Sequence, residues 1–252
     1  MKLKRQTILP VIVLFVLLTI IYSNTFAVPF LFDDTINILE NLSIRQLWPP
    51  WGFLMIPDDT GIANRPIINF TLAVNYAISG HNVWGYHLVN LIIHILATLT
   101  LFGIIRRTIL ISKINLNREE SLLFSFACAL LWGLHPVQTQ AVTYVIQRCE
   151  SLMSLFFLLT VYSALRGWQA KSSNHWHLLA VMFFLLAVFS KEVAIVCPIL
   201  LISYEWVFRS KNPLRSIKES PLLYSGIFLG CIITFIIVIN GNTIVSRTNR
   251  TP

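Results

Sequence analysis

Charge is scarce in this sequence. Only 12% of its 252 residues are Asp, Glu, Lys or Arg, while 56% are hydrophobic and the mean hydropathy is +0.70. A soluble domain usually carries about a quarter charged residues. The composition therefore excludes an ordinary soluble domain and predicts an all-α polytopic membrane protein.

Cysteine pairs at metal-ligand or redox spacing are also absent. The four cysteines, Cys128, Cys149, Cys197 and Cys231, form no CxxC pair, and three of them lie inside apolar runs where small buried side chains are common. The net charge of +8 does not indicate nucleic acid binding, because the basic residues are dispersed between hydrophobic segments. No internal repeat or low-complexity tract is present.

Seven apolar runs predict about seven transmembrane helices. Three runs are long enough to cross a bilayer alone, whereas four of 14 to 16 residues could also be re-entrant or interfacial. The runs are Thr7 to Phe26, Val83 to Ile105, Ser121 to Leu134, Ser151 to Leu165, Trp176 to Phe189, Val193 to Phe208 and Leu222 to Ile239. The first run could be a signal peptide after "MKLKRQ", but its length favours an uncleaved span.

The distribution of charge predicts an N-in, C-out topology. With alternating spans, thirteen of the nineteen Lys and Arg residues fall on the cytoplasmic side and six outside, as the positive-inside rule requires. The chain then divides into a first transmembrane helix (1–27), a long first external loop (28–82), the remaining helices (83–240) and an external tail (241–252). The loop carries acidic pairs at Asp33–Asp34 and Asp58–Asp59, and "PIINFTLAVNYAIS" at 66–79 predicts a half-buried helix within it.

Ionisable residues beside apolar runs are the candidate functional residues, because a bilayer tolerates few of them without cause. The predicted topology brings nine of them to the outer face: Asp33, Asp34, Arg65, His87, His135, Arg148, Glu150, Lys191 and Glu192. Carboxylates can accept a proton and cations can hold a phosphate. Together they favour transfer of a group from a lipid-linked phosphate to an acceptor hydroxyl.

Structural interpretations stay open for several of these residues. The aspartate pair could simply end the first helix, Arg148 could be an interfacial arginine, and Lys191 with Glu192 could cap a helical hairpin. His87, Asn90 and His94 share one helix face at i, i+3 and i+7, which favours a polar stripe that hydrogen-bonds a neighbouring helix. No carboxylate shares this face, so a two-His metal site is not favoured.

Several motifs carry a resemblance to a known family. In order they are "FDDTINI", "NRPIINF", "YHLVNLIIHILATLTLF", "FACALLWGLHPVQTQAVTYVIQRCESLMSLFFLL" and "FSKEVAIVCPILLISYE". Over residues 28 to 208 the chain resembles the membrane half of the transmembrane and tetratricopeptide-repeat-containing O-mannosyltransferases and their bacterial relatives, which are GT-C glycosyltransferases. The resemblance implies a GT-C-like core of seven helices with an acidic motif in the first external loop.

The resemblance also implies substrates and roles. The donor would be a polyprenyl or dolichyl phosphate sugar, and the acceptor a protein or glycan hydroxyl at the outer face of a bacterial inner membrane or an endoplasmic reticulum membrane. Asp33 and Asp34 would be catalytic, and Arg148, Lys191 and Arg65 would hold the donor phosphate. The cavity hydrogen-bonders would be His87, His135, Glu150 and Glu192. No cofactor is assigned, and no metal ligand is predicted, although some GT-C members use a divalent metal.

The chain departs from the family after its seventh apolar run. The relatives continue with further membrane helices and a tetratricopeptide array, whereas this chain stops at "SRTNRTP". This predicts a short form, a truncated sequence, or a split gene whose second chain supplies the missing helices and repeats. A secondary transporter and a non-catalytic membrane scaffold remain alternatives, but a transporter usually places its ionisable groups at the midplane of an inverted repeat.

Overall fold

The structure of the protein is a computed structural model. It describes residues 2–49, 51, 56, 60–112, 114–170, 173–209 and 217–248. This part of the chain is helical and contains no strand, as predicted. Within it, three helices are long and apolar enough to cross a membrane: Thr7–Ala27, Val83–Ile111 and Val145–Gln169. The second acidic pair, Asp58 and Asp59, lies outside the described residues.

Nine α-helices occur in the described part of the chain. They are α1 Lys2–Ile21, α2 Pro66–Ser79, α3 Val83–Ile111, α4 Arg118–Gly133, α5 Gln138–Thr143, α6 Arg148–Gln169, α7 Asn174–Ser190, α8 Cys197–Phe208 and α9 Pro221–Thr248. A π-helical turn at Thr35–Leu39 and 3-10 turns at Ser23–Ala27, Leu42–Ile44, Val145–Gln147 and Glu192–Val196 lie between them.

Helix ends follow local sequence signals. Asn82 caps α3 by accepting a hydrogen bond from the Trp84 amide, and Asn117 forms a reciprocal capping box with Glu120 at the start of α4. Pro66 begins α2, and its missing N–H costs nothing there because the first N–H groups of a helix have no partner within the helix. The helix predicted at 66–79 is confirmed at those bounds.

Two predicted segment bounds need correction. The run Ser151 to Leu165 belongs to the longer helix α6 of 22 residues, which begins three residues earlier at Arg148. The run Val193 to Phe208 is divided, because a 3-10 turn at Glu192–Val196 precedes α8, which has only 12 residues. Since α4, α7 and α8 are all shorter than the roughly 20 residues that cross a bilayer, seven spans remain a prediction.

Helix α6 is central to the packing. One apolar cluster joins it to α2 and α3 through Leu72, Tyr86 and Leu152, and another joins it to α7, α8 and α9. The N-terminal end of α6 therefore lies where α2, α3 and the segment between α1 and α2 meet.

Side-chain hydrogen bonds hold the segment between α1 and α2 in place. Asn41 donates from Nδ2 to the Asn37 carbonyl and to Asn69 Oδ1 of α2, at 3.1 Å each. Arg45 donates to the Tyr76 hydroxyl at 2.8 Å and lies over the Tyr76 ring. These contacts fix the segment that carries the aspartates against the helices.

Candidate functional site

The two adjacent aspartates occupy different environments. Asp34 is 1% exposed, and its carboxylate accepts hydrogen bonds from the amides of Leu31 at 2.9 Å and Ile146 at 2.8 Å. Burial raises the pKa of Asp34 above its ordinary value, although these amides favour the charged form. Asp34 therefore fastens the segment between α1 and α2 to the turn that precedes α6.

Asp33 faces outward. Its backbone amide donates to the Tyr144 hydroxyl at 2.9 Å, and its carbonyl accepts from Asn37 Nδ2 at 2.7 Å, so the backbone is held while the side chain stays exposed. Burial, together with the nearby Asp33 carboxylate, raises the pKa of Tyr144. Sequence reasoning did not single out Tyr144, because its link to Asp33 joins residues 111 positions apart.

Arg148 requires a correction, because the structure does not place it on a cavity surface. Its side chain is fully buried, with Nε donating to Asn90 Oδ1 at 2.8 Å and Nη2 to the Tyr86 carbonyl at 3.1 Å. Nη1 donates to the Thr71 carbonyl at 3.3 Å, and the guanidinium lies 5.8 Å from the Tyr86 ring centroid. A buried cation must be paired or fully hydrogen-bonded, and here it bridges α2, α3 and α6.

The two histidines predicted to line the cavity make local contacts with the backbone. His87 is fully buried, and its Nε2 donates to the Val28 carbonyl at 2.8 Å, so its predicted access to an outer cavity is wrong. His135 is exposed, and its Nδ1 accepts from the Val137 amide at 3.2 Å in the turn after α4. Its predicted role stays a prediction.

The polar stripe predicted on α3 is confirmed. Asn90 donates to the Val145 carbonyl at 3.2 Å, and His94 Nε2 donates to the Gly133 carbonyl at 2.8 Å. Both bonds reach from α3 to neighbouring elements, which is the usual use of such side chains among membrane helices. Asn90 thereby positions both the turn before α6 and the Arg148 guanidinium.

Four predicted site residues do come together, and we call them the ion-pair group: Arg65, Glu150, Lys191 and Glu192. Arg65 Nη2 lies 3.2 Å from Glu192 Oε1, and Lys191 Nζ pairs with Glu150 Oε1. The cationic side chains are each 21% exposed, against 51% for Glu192 and 40% for Glu150. The carboxylates can therefore turn toward solvent more easily than the cations.

Two adjoining cavities begin beside the ion-pair group. A small one of about 100 Å³ is lined by Glu150, His94 and Gln138. A larger one of about 360 Å³ shares Trp132 and Ser154 with it and is lined mainly by apolar side chains such as Met153, Phe157 and Val193. An apolar space thus leads away from the charged groups between the helices.

The segment from Tyr144 to Glu150 connects the aspartates to the ion-pair group. Tyr144 and Ile146 contact Asp33 and Asp34, while Glu150 holds Lys191. Six residues of tight helical turn rise about 10 Å, which is within the reach of one phosphosugar. No group of three or more His, Cys, Asp or Glu able to hold a metal occurs in the part of the chain that the structure describes.

Known proteins share much of this sequence. The profile of the family described as dolichyl-phosphate-mannose-protein mannosyltransferase matches residues 63–239. Protein O-mannosyl-transferase TMTC3 of Homo sapiens is 31% identical over 178 residues, covering 68% of this chain and 18% of the relative. TMTC2 of Mus musculus is 30% identical over 165 residues, which cover 60% of this chain and 18% of the relative. TMTC4 of Homo sapiens is 29% identical over 197 residues, which cover 69% of this chain and 26% of the relative.

These matches confirm the resemblance that the motifs indicated. The chain spans about a fifth to a quarter of the length of these curated relatives. No solved structure gives a significant match.

Proposed function

Because the chain belongs to the dolichyl-phosphate-mannose-protein mannosyltransferase family, we propose that it transfers a mannose-like sugar from a polyprenyl or dolichyl phosphate to a hydroxyl of a protein or glycan. The observation that supports this proposal is that the segment from Tyr144 to Glu150 links the exposed Asp33 to the two cations of the ion-pair group, with an apolar cavity nearby. Each supplies one requirement of the reaction.

The donor would be held by Lys191 and Arg65. As the bond between the sugar and the phosphate breaks, the leaving phosphate gains one negative charge, which nearby cations stabilise. The ion-pair group is neutral as a whole, so Glu150 and Glu192 must turn outward to free the cations when the phosphate binds. The carboxylates are more exposed than the cations, which supports this movement. The isoprenoid chain would occupy the apolar cavity of about 360 Å³.

The acceptor would be activated by Asp33. Its carboxylate takes the proton of the acceptor hydroxyl while that oxygen forms the new bond to the anomeric carbon and the lipid phosphate departs. Asp34 and Tyr144 position the Asp33 backbone through the bonds described above. Arg148 acts as a positioning residue, because all three of its nitrogens are engaged inside the protein.

The protein would be a multi-pass membrane protein with its N-terminus in the cytoplasm. Three apolar helices and the excess of basic residues on the predicted inner side support this topology. The site then lies on the outer face of a bacterial inner membrane or the lumenal face of the endoplasmic reticulum. We propose that residues 28–82 form the external loop, and that parts of the relatives beyond this chain's matched region, in the same or a separate chain, present the acceptor.

The test is donor kinetics in membranes that contain the longest natural form of the protein. Lys191→Gln should raise the donor KM by roughly tenfold to a hundredfold, since a hydrogen bond to a charged group contributes about 1.5–3 kcal/mol. Lys218→Gln is the matched control, because Lys218 is exposed between α8 and α9, in a different part of the molecule. An unchanged donor KM would remove Lys191 from the site, and no sugar transfer by the unmodified protein would leave the scaffold and transporter alternatives.

A further inference from the structure

A third cavity lies far along α3 from the candidate site. It has a volume of about 510 Å³ and is enclosed by α1, α3 and α6. Its lining is divided: Arg106 and Arg107 lie toward one end, with Leu110 one turn beyond them on α3. The apolar side chains of Leu96, Leu99 and Phe102 lie along the rest. A cavity with a cationic end and an apolar length matches an amphipathic anion.

The two arginines are held by neutral groups. Arg106 Nη1 donates to Thr7 Oγ1 of α1 at 2.9 Å, and Arg107 donates to Gln169 Oε1 of α6. The Arg107 guanidinium also lies 5.2 Å from the Tyr162 ring centroid. Among the described side chains neither arginine has a carboxylate within ion-pair distance, in contrast to Arg65 and Arg209. A guanidinium carries five donors, so several remain for a ligand.

The dimensions of the cavity match one leaflet. From Leu96 to Arg106, α3 rises about 15 Å at 1.5 Å per residue, which is half of the roughly 30 Å hydrocarbon thickness. From Asn90, beside the candidate site, to Arg106 the rise is about 24 Å. A ligand whose phosphate lies on the arginines is therefore separate from the sugar donor.

We propose that this cavity binds an anionic phospholipid of the leaflet opposite the candidate site. The phosphate would lie on Arg106 and Arg107, and one acyl chain would pack along Leu96, Leu99 and Phe102. Basic pockets between membrane helices on the cytoplasmic side recognise anionic headgroups in this way. Because the lipid touches α1, α3 and α6, its binding would stabilise the association of those three helices. The proposal is independent of sugar transfer.

The experiment uses the purified protein in phosphatidylcholine nanodiscs to which phosphatidylglycerol is added. Bound lipid is counted by native mass spectrometry, and the thermal unfolding midpoint is followed in parallel. Phosphatidylglycerol should bind in a one-to-one complex and raise the midpoint. The double variant Arg106→Gln/Arg107→Gln should weaken binding about thirtyfold, since each basic residue near an anionic surface contributes a factor of about five.

Two further variants separate charge from shape. Thr100→Trp fills the apolar part of the cavity without changing charge and should also reduce binding, whereas Arg118→Gln removes an exposed charge outside the cavity and should not. Equal binding of phosphatidylcholine and phosphatidylglycerol, or unchanged binding by the double variant, would overturn the proposal. Inorganic phosphate raising the midpoint as much as phosphatidylglycerol would also overturn it, since it would indicate a free-anion site.

Discussion

At the scale of single residues, position within the fold separates groups that are chemically alike. Asp33 and Asp34 are neighbours in sequence, yet one is exposed and the other accepts two backbone hydrogen bonds in the protein interior. The structure therefore favours Asp33 as the base and Asp34 as the residue that holds the loop.

Asparagine substitutions distinguish these two roles. Asp33→Asn should lower the rate of sugar transfer by about a hundredfold to ten-thousandfold, the usual effect of removing a general base, with unchanged thermal stability and donor binding. Asp34→Asn should lower the free energy of unfolding by about 1–3 kcal/mol, because an amide cannot accept from both backbone donors at once. Transfer assays and thermal unfolding of both variants provide the check. Full activity of Asp33→Asn would show that Asp33 is not the base and would favour the alternative that the aspartate pair only ends the first helix.

Arg148 leads to a prediction about stability. Arg148→Lys replaces a planar fork by a point charge and cannot keep all three hydrogen bonds. Each lost bond to the buried cation should cost roughly 1.5–3 kcal/mol, while the donor KM of the remaining folded protein stays unchanged. Arg166→Lys is the control on the same helix, since Arg166 only lies over the Trp176 ring. If Arg148→Lys instead raised the donor KM and kept wild-type stability, Arg148 would be assigned to the donor phosphate as the sequence predicted.

At the scale of elements, the close approach of α6 and α7 depends on a glycine. A Cβ atom added at Gly167 would lie 2.4 Å from Cδ2 and 2.5 Å from Nε2 of His177. His177 is itself buried, so its ring has little room to move. Small residues at helix contacts allow such close packing in membranes. At the opposite end of this antiparallel pair lie Arg148, at the start of α6, and Lys191, just after the end of α7.

Gly167→Ala should therefore destabilise the protein by about 1–3 kcal/mol, the typical cost of overpacking. In a His177→Ala background the same change should cost much less, because the clashing ring is gone. A double-mutant cycle by thermal unfolding in detergent measures this coupling. Additive effects of the two substitutions would show that the contact does not limit the packing.

At the scale of the whole molecule, the short length of α4 raises the question of whether this helix crosses the membrane. Helix α4 has 16 residues and is about 24 Å long, shorter than a hydrocarbon core of roughly 30 Å. It can cross only where the bilayer is thinned or its ends reach the interface. The capping box at Asn117 marks one end and the turn at His135 the other.

Cysteine labelling tests whether α4 crosses. In a background with the four native cysteines replaced, a cysteine at Asn115 should be shielded from an impermeant thiol reagent added outside, and one at Thr139 should react. Both positions are exposed in the protein, so burial does not explain shielding. Labelling of both from outside would contradict the seven-span topology. The N-in topology also places Asn212 on the cytoplasmic side, but this residue lies outside the described residues.

The sequence by itself determined the features that depend on local periodicity and charge. Hydropathy located two of the three helices that are long and apolar enough to cross a membrane, the 66–79 helix was confirmed at its bounds, and spacing on α3 predicted the polar stripe of Asn90 and His94. The resemblance carried by the motifs indicated the family, which the profile match confirmed. Each of these features depends only on residues that are close together in the sequence.

Only the tertiary structure decided how the candidate residues are used. The burial of Arg148 depends on Asn90, 58 positions away, and that of Asp34 on an amide 112 positions away. Tyr144, beside Asp33, joined the site for the same reason. A hydropathy pattern reports whether a side chain is near a membrane, but hydrogen bonds between distant residues determine which donors and acceptors remain free for a substrate. The fold thereby leaves Asp33 exposed and engages Arg148.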